Sequence, residues 1–129
     1  MTFHVSLVRY NNERMVDNVF YSGGWVPQVG IIDTGVSIRH QDLTDNTDKN
    51  CEDFVNGDGS CDEGSIPGPS KGHGTHAAGI IGGTGNNGIG IAGVNWQSNL
   101  VGCTMFPDDC SGASCQGSTS AAIKCLNWL

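Results

Sequence analysis

The chain has 129 residues, and its 20 glycines amount to about twice the usual share. Its 6 basic and 13 acidic residues give a net charge of −7, which disfavours nucleic-acid binding driven by neutralisation of phosphates. No apolar run approaches the roughly 18 residues of a transmembrane helix, so we expect no membrane span. The opening residues MTFHVS lack the charged start and apolar run of a signal peptide, and any export signal would lie outside these residues.

The first half of the chain predicts one buried strand and a long loop. Residues 1–24 are mixed and polar, and we interpret them as a lead-in segment with weak structure. The apolar run at residues 29–32 is too short for a helix and predicts a buried parallel strand. Residues 44–71 are rich in Asp, Asn, Gly, Ser and Pro, which predicts a loop containing a short strand at residues 52–55.

The second half predicts a helix, a strand and a second helix. Small and apolar residues at 73–83 are typical of a helix packed tightly between neighbours, and residues 99–106 predict another buried strand. Ser118 or Thr119 is expected to cap the last helix. The apolar positions of this last helix are Ala121, Ala122, Cys125, Leu126 and Leu129. Strands separated by helices predict an α/β fold with a largely parallel sheet flanked by helices.

The six cysteines favour disulfides, because an even count in a small acidic chain is typical of oxidising compartments. Sequence neighbours give two pairs, Cys51 with Cys61 and Cys110 with Cys115. Cys103 and Cys125 either pair with each other or stay buried as free thiols. A zinc site is a further alternative, although no CxxC spacing occurs. The disulfide interpretation predicts a secreted protein or one in another oxidising compartment.

Two motifs carry side chains suited to proton transfer. Asp33 directly follows a predicted strand, and catalytic groups gather at the carboxyl ends of strands in open α/β sheets. His73 begins a predicted helix between two glycines, which let other backbone approach its ring. A carboxylate of this kind can orient a histidine that acts as general base. The alternatives are a turn aspartate at position 33 and, for the neighbouring His76, a packed core histidine.

Together these motifs resemble the subtilisin-like serine proteases (peptidase family S8). The resemblance is carried by VGIIDTGV at residues 29–36 and HGTHAAGII at residues 73–81. The segments DFVNGD at residues 53–58 and NNGIGIAGV at residues 86–94 support it. The resemblance covers residues 25–129, which we predict to be an incomplete peptidase domain. It implies a partial subtilisin-like fold whose later strands are missing, and a serine-type endopeptidase activity on peptides or proteins.

The resemblance assigns roles to two residues of a catalytic triad. Asp33 would be the aspartate and His73 the general base of an Asp-His-Ser triad. GSTSA at residues 117–121 superficially resembles the Gly-Thr-Ser-x-Ala motif of the nucleophile, but the family places that motif much further from its histidine. We therefore predict that Ser118 caps a helix. Without the nucleophile, and without the asparagine that donates to the oxyanion, we expect the chain to be inactive alone.

The resemblance also implies two supporting sites. Asp42 and Asn87 occupy the places of family ligands to a structural calcium, and oxygen ligands suit that ion; the alternative is an ordinary Asn-Asn-Gly turn. Phe106 and Gly117 fall where the family lines its substrate cleft; the alternatives are core packing and a loop glycine. A competing functional hypothesis is a truncated or degenerate, non-catalytic homologue that binds partner proteins.

Overall fold

The computed structural model describes residues 5–9, 26–55, 57, 61–62, 72–108 and 115–129. Within these residues the chain forms four strands and two helices. In chain order they are β1 (Val5–Arg9), β2 (Gln28–Asp33), β3 (Glu52–Asp53), α1 (His73–Gly82), β4 (Asn99–Thr104) and α2 (Thr119–Trp128). The element types match the sequence prediction from residue 28 onward, and the predicted strands at 52–55 and 99–106 end earlier than expected.

The strands form one sheet in the order β1-β2-β4-β3. Strands β2, β4 and β3 run parallel, and β1 is antiparallel to β2 at the edge. The β2–β4 register pairs Asp33 with Thr104, so these two central strands end at the same edge of the sheet. This arrangement confirms an α/β fold with a largely parallel sheet.

Strand β1 is the main difference from the sequence prediction, which expected weak structure over residues 1–24. Its backbone pairs with β2 from Val5 opposite Ile32 to Arg9 opposite Gln28. The segment VSLVR is rich in β-branched and apolar residues, which favour a strand even in a short polar context. Residues 1–4 and 10–24 of the predicted lead-in lie outside the described residues.

The two faces of the sheet are covered by different helices. Side chains alternate along a strand, so Val29 and Ile31 pack in the cluster that contains Ala78 of α1, whereas Ile32 packs with Cys125 of α2. This double burial explains why β2 is apolar on both faces, as expected for a parallel strand. The two faces form separate small cores.

Helix α1 meets the sheet through a stripe of small residues. Gly74, Ala78 and Gly82 are its buried positions, four residues apart on one face. A Cβ added at Gly82 would overlap the Ser98 side chain, so the helix lies against its neighbours at backbone distance. Ile80 points away and is exposed. The expected tight packing is therefore confirmed, through glycine and alanine, with Ile81 partly buried against the same core.

Helix α2 begins at an N-cap formed by Ser118, whose side chain accepts a hydrogen bond from Ala121 N at 3.3 Å. Its buried residues are Ala121 and Cys125. Leu126, another of the apolar positions, is 42% exposed, because it lies about 100° around the helix from Cys125. In the part of the chain that the structure describes, no helix is long and apolar enough to cross a membrane.

Two disulfides between described cysteines cross-link the fold. Cys51 pairs with Cys61, as predicted, and Cys103 pairs with Cys125, which resolves the open alternative for these two residues. The second bond connects β4 directly to α2. Cys115 is also disulfide-bonded, while Cys110 lies outside the described residues. These bonds are compatible with an oxidising compartment.

Candidate active site

Asp33 lies at the carboxyl end of β2 and is 2% exposed. Its Oδ1 accepts a hydrogen bond from Thr34 N at 2.7 Å, and its carbonyl oxygen accepts one from Met105 N at 2.9 Å. Gly35 then turns the chain with a φ of 105°, in the left-handed region that favours glycine. The strand and the turn after it thus hold the carboxylate in one position.

His73 is the first residue of α1, and its Nδ1 lies 2.7 Å from Asp33 Oδ1. This is the distance expected of a charge-assisted hydrogen bond. The His73 side chain is 40% exposed, whereas that of Asp33 is 3% exposed. A buried carboxylate therefore orients an imidazole that solvent can reach, which is the arrangement that a general base requires.

Two threonines fasten the first turn of α1 to the loop after β2. Thr34 Oγ1 accepts a hydrogen bond from Gly74 N at 3.1 Å, and Thr75 Oγ1 accepts one from Ser37 N at 2.8 Å. The first of these satisfies an N–H that a helix start leaves without an intrahelical partner. Sequence reasoning missed both threonines, although hydroxyl side chains at a predicted helix start are the usual signal for such bonds.

Gly74 allows this close approach. A Cβ at this position would overlap the carbonyl oxygen of Gly35 and lie 3.2 Å from Asp33 Cβ. The glycine next to His73 is thus required by the contact between α1 and the Asp33 loop.

His76 does not belong to the core, so the alternative of a packed core histidine is wrong for this residue. It is exposed, because it lies about 200° around α1 from the buried position of Gly74. The described residues contain no cluster of three or more His, Cys, Asp or Glu side chains suited to a metal ion.

The structure brings Asp42 and Asn87 into direct contact. Asn87 Nδ2 donates to Asp42 Oδ1 at 2.8 Å, and Ile91 N donates to Oδ2 at 2.9 Å. The hydrogen bond from Asn87, followed by that from Ile91 and a smaller effect of the nearby His40, holds the pKa of Asp42 below its usual value, and desolvation opposes the shift only in part. The buried carboxylate thus anchors the loop after α1.

Phe106 and Gly117 also lie next to each other. A Cβ on Gly117 would lie 3.1 Å from the Phe106 ring, and Ser118 N donates to Met105 O at 2.8 Å. Both residues are partly buried and follow the carboxyl end of β4, the edge of the sheet where Asp33 lies. That Phe106 and Gly117 line a substrate cleft stays a prediction.

Ser118 is the N-cap residue of α2. Besides accepting from Ala121 N, its Oγ lies 3.0 Å from Ser120 Oγ. The prediction that this serine is a helix cap is confirmed.

The fold and the site define an α/β protein with a hydrogen-bonded aspartate–histidine pair at the carboxyl edge of a parallel sheet. The model of the subtilase family, Peptidase S8, matches residues 26–128. The chain therefore belongs to the subtilase family.

Individual relatives agree with this assignment. The chain is 35% identical over 107 residues to a subtilisin of Bacillus sp. (strain TA39), covering 80% of this chain and 23% of the relative. It is 35% identical over 98 residues to thermitase of Thermoactinomyces vulgaris, covering 74% of this chain and 33% of the relative. It is 36% identical over 94 residues to subtilisin-like protease 1 of Plasmodium vivax, covering 60% and 15%. The chain thus spans a third or less of the length of these relatives.

Proposed function

We propose that this chain contributes Asp33 and His73 to the Asp-His-Ser triad of a serine endopeptidase that cleaves peptides or proteins. The observation that carries the proposal is the 2.7 Å hydrogen bond between His73 Nδ1 and the buried Asp33 carboxylate. Membership of the subtilase family supports the reaction class.

The geometry suggests how these two residues would act. The Nδ1–H of His73 donates to Asp33, which fixes the tautomer in which Nε2 accepts a proton. Nε2 takes the proton of the serine hydroxyl as the oxygen attacks the peptide carbonyl, and later gives that proton to the leaving amine. Asp33 stays ionised and stabilises the imidazolium formed between these two transfers.

The proposal assigns the nucleophile to a serine elsewhere in the catalytic domain, because Ser118 serves as the cap of α2. We therefore expect the 129-residue chain not to react with a fluorophosphonate probe of active serines. Mass spectrometry of the treated chain checks this, and labelling at Ser118 or Ser120 would overturn the assignment.

The triad roles can be tested in a chimera in which residues 26–128 replace the matching segment of thermitase. In this chimera Asp33→Asn should lower kcat by about 10⁴-fold, and His73→Ala, which removes the general base, should lower it by about 10⁶-fold. His76→Ala is the matched control, because His76 is an exposed histidine one turn along the same helix, and it should leave kcat close to that of the parent chimera. Retained hydrolysis in the His73→Ala chimera would contradict the proposal.

We also propose that Asp42 and Asn87 hold a structural calcium ion. The donor set fits in part, since it offers a buried carboxylate and a side-chain amide, and calcium prefers oxygen ligands. Coordination requires Asn87 to present Oδ1 instead of the Nδ2 that contacts Asp42. Calcium should then raise the melting temperature of the chain relative to EGTA, and Asp42→Asn should abolish that rise. An equal rise in the variant would place any calcium effect elsewhere.

The cleft and the compartment complete the proposal. Phe106 and Gly117 would line the substrate cleft, since they lie together beyond the carboxyl end of β4. In the chimera, Phe106→Ala should therefore raise KM more than it lowers kcat.

The disulfides support a secreted protein. Alkylation of thiols in freshly collected material should find these four cysteines oxidised.

A further inference from the structure

Thr104, the last residue of β4, has a buried side-chain hydroxyl that lacks a hydrogen-bond partner among the described residues. The residue is 1% exposed, and its Oγ1 is buried without a hydrogen-bond partner in the described part of the chain. Buried polar side chains in folded proteins nearly always have a partner. A valine would fill the same volume without this cost.

The sheet register places Thr104 beside Asp33. The two residues are paired across parallel strands, and Met105 N donates to Asp33 O directly after the pair. Leu100 packs in the same cluster as Ile31, and side chains alternate along each strand. Thr104 and Asp33 therefore point to the same face, the one covered by α1, about 5 Å apart.

We propose that the Thr104 hydroxyl is a positioning group that donates to the Asp33 carboxylate, directly or through one water. Rotation about χ1 moves Oγ1 between staggered positions, and an ionised carboxylate accepts up to about four hydrogen bonds. Asp33 Oδ1 already accepts from Thr34 N and faces His73 Nδ1. A further donor would share the negative charge and so set how strongly Asp33 attracts the His73 proton. This inference rests on the proposed function of the pair.

The experiment compares Thr104→Val with Thr104→Ser in the full chain. The readout is the proton resonance of the His73 Nδ1–H group, which moves downfield as its hydrogen bond strengthens. Removing a donor from Asp33 leaves more charge to attract this proton, so Thr104→Val should shift the resonance downfield while Thr104→Ser keeps the parent position. No shift in Thr104→Val, or equal shifts in both variants, would overturn the proposal.

Thermal unfolding gives a second readout. The melting temperature of Thr104→Val should change in opposite directions depending on whether the Thr104 hydroxyl has no partner or donates to Asp33. If the hydroxyl had no partner, Thr104→Val would leave the melting temperature unchanged or raise it, because an unsatisfied polar group is removed. If it donates to Asp33, the variant should melt a few degrees lower. This loss should disappear when Asp33→Asn is already present, because the charged acceptor is gone.

The same variants separate this inference from the proposed function. Asp33→Asn should abolish the downfield Nδ1–H resonance if Asp33 orients His73. If that resonance persists, the proposed pair itself fails. If it disappears while Thr104→Val behaves like the parent chain, only the role of Thr104 fails.

Discussion

At the scale of single residues, the site depends on how close two backbones come. Gly74 touches the Gly35 carbonyl, whereas Gly79, in the same helix, has ordinary space around it. A Cβ on Gly79 would lie 3.6 Å from the Ile91 side chain. These two glycines therefore give a matched pair of substitutions in one helix.

Gly74→Ala should destabilise the chain by about 1–3 kcal/mol, as overpacking of a close contact does. It should also weaken the His73–Asp33 hydrogen bond, because α1 must move away from the loop. Gly79→Ala should be neutral or stabilise by up to about 1 kcal/mol, since alanine favours helix. Urea unfolding measures both effects. Equal destabilisation by the two variants would mean that the Gly74–Gly35 contact has no special role.

Asp42 predicts a dependence of stability on pH. Its pKa is lowered in the folded chain by the hydrogen bonds from Asn87 and Ile91. A lowered folded value means that the stabilisation is complete above the unfolded pKa near 4 and is lost as pH falls through the folded value. Unfolding free energies measured in EDTA from pH 7 to pH 2 should therefore converge for the parent and Asp42→Asn at the acid end.

Asn87→Ala is the control for this pH effect, because it removes the largest cause of the shift. It should reduce the acid-dependent part of the stability while leaving the carboxylate in place. A parent chain whose stability advantage over Asp42→Asn is constant down to pH 2 would contradict the assigned cause.

At the scale of elements, the disulfide at α2 and the disulfide near β3 differ in burial and in the length of chain that they close. Cys103 and Cys125 are fully buried and lie 22 residues apart, whereas Cys51 is partly exposed and lies 10 residues from Cys61. Loop-closure entropy gives each bond about 3 kcal/mol, slightly more for the longer loop. Burial of both sulfurs adds a packing contribution to the bond between β4 and α2.

Replacing Cys103 and Cys125 together by alanine should therefore cost more stability than replacing Cys51 and Cys61. We expect about 3 kcal/mol or more for the first pair, from the lost cross-link and the cavity left in the core. Denaturant unfolding of the two double variants measures the difference. A larger loss for the Cys51–Cys61 variant would show that the β3 loop, rather than α2, limits stability.

Elements were predictable from the sequence where local pattern and burial agree. The apolar run of β2 and the cap at Ser118 were both identified, because each leaves a local signal. The apolar pattern alone did not show that Leu126 is exposed, because the packing partner decides which stripe of a helix faces the sheet. The pairing of Cys103 with Cys125 depends on the contact between β4 and α2, which spacing alone does not give.

At the scale of the whole molecule, the motifs located the Asp33–His73 pair, because strand ends and helix starts meet at one edge of a parallel sheet. The edge strand β1 was missed, since its pairing with β2 is a long-range contact and its segment is short. The same limit applies to Thr104, whose position beside Asp33 follows from the sheet register.

Strand β1 lies before residue 25, where the peptidase domain was predicted to begin. Its pairing with β2 therefore tests whether residues 25–129 contain the whole sheet. A chain that starts at residue 25 loses β1, which leaves the backbone groups of β2 on that side without partners. Along β2, successive N–H groups point alternately toward β1 and toward β4. Hydrogen exchange should therefore speed up at alternate β2 amides only, while those bonded to β4 stay protected and serve as the internal control. Uniform loss of protection would mean that residues 25–129 do not keep the β2–β4 pairing alone, and unchanged protection would mean that β1 does not pair with β2 in solution.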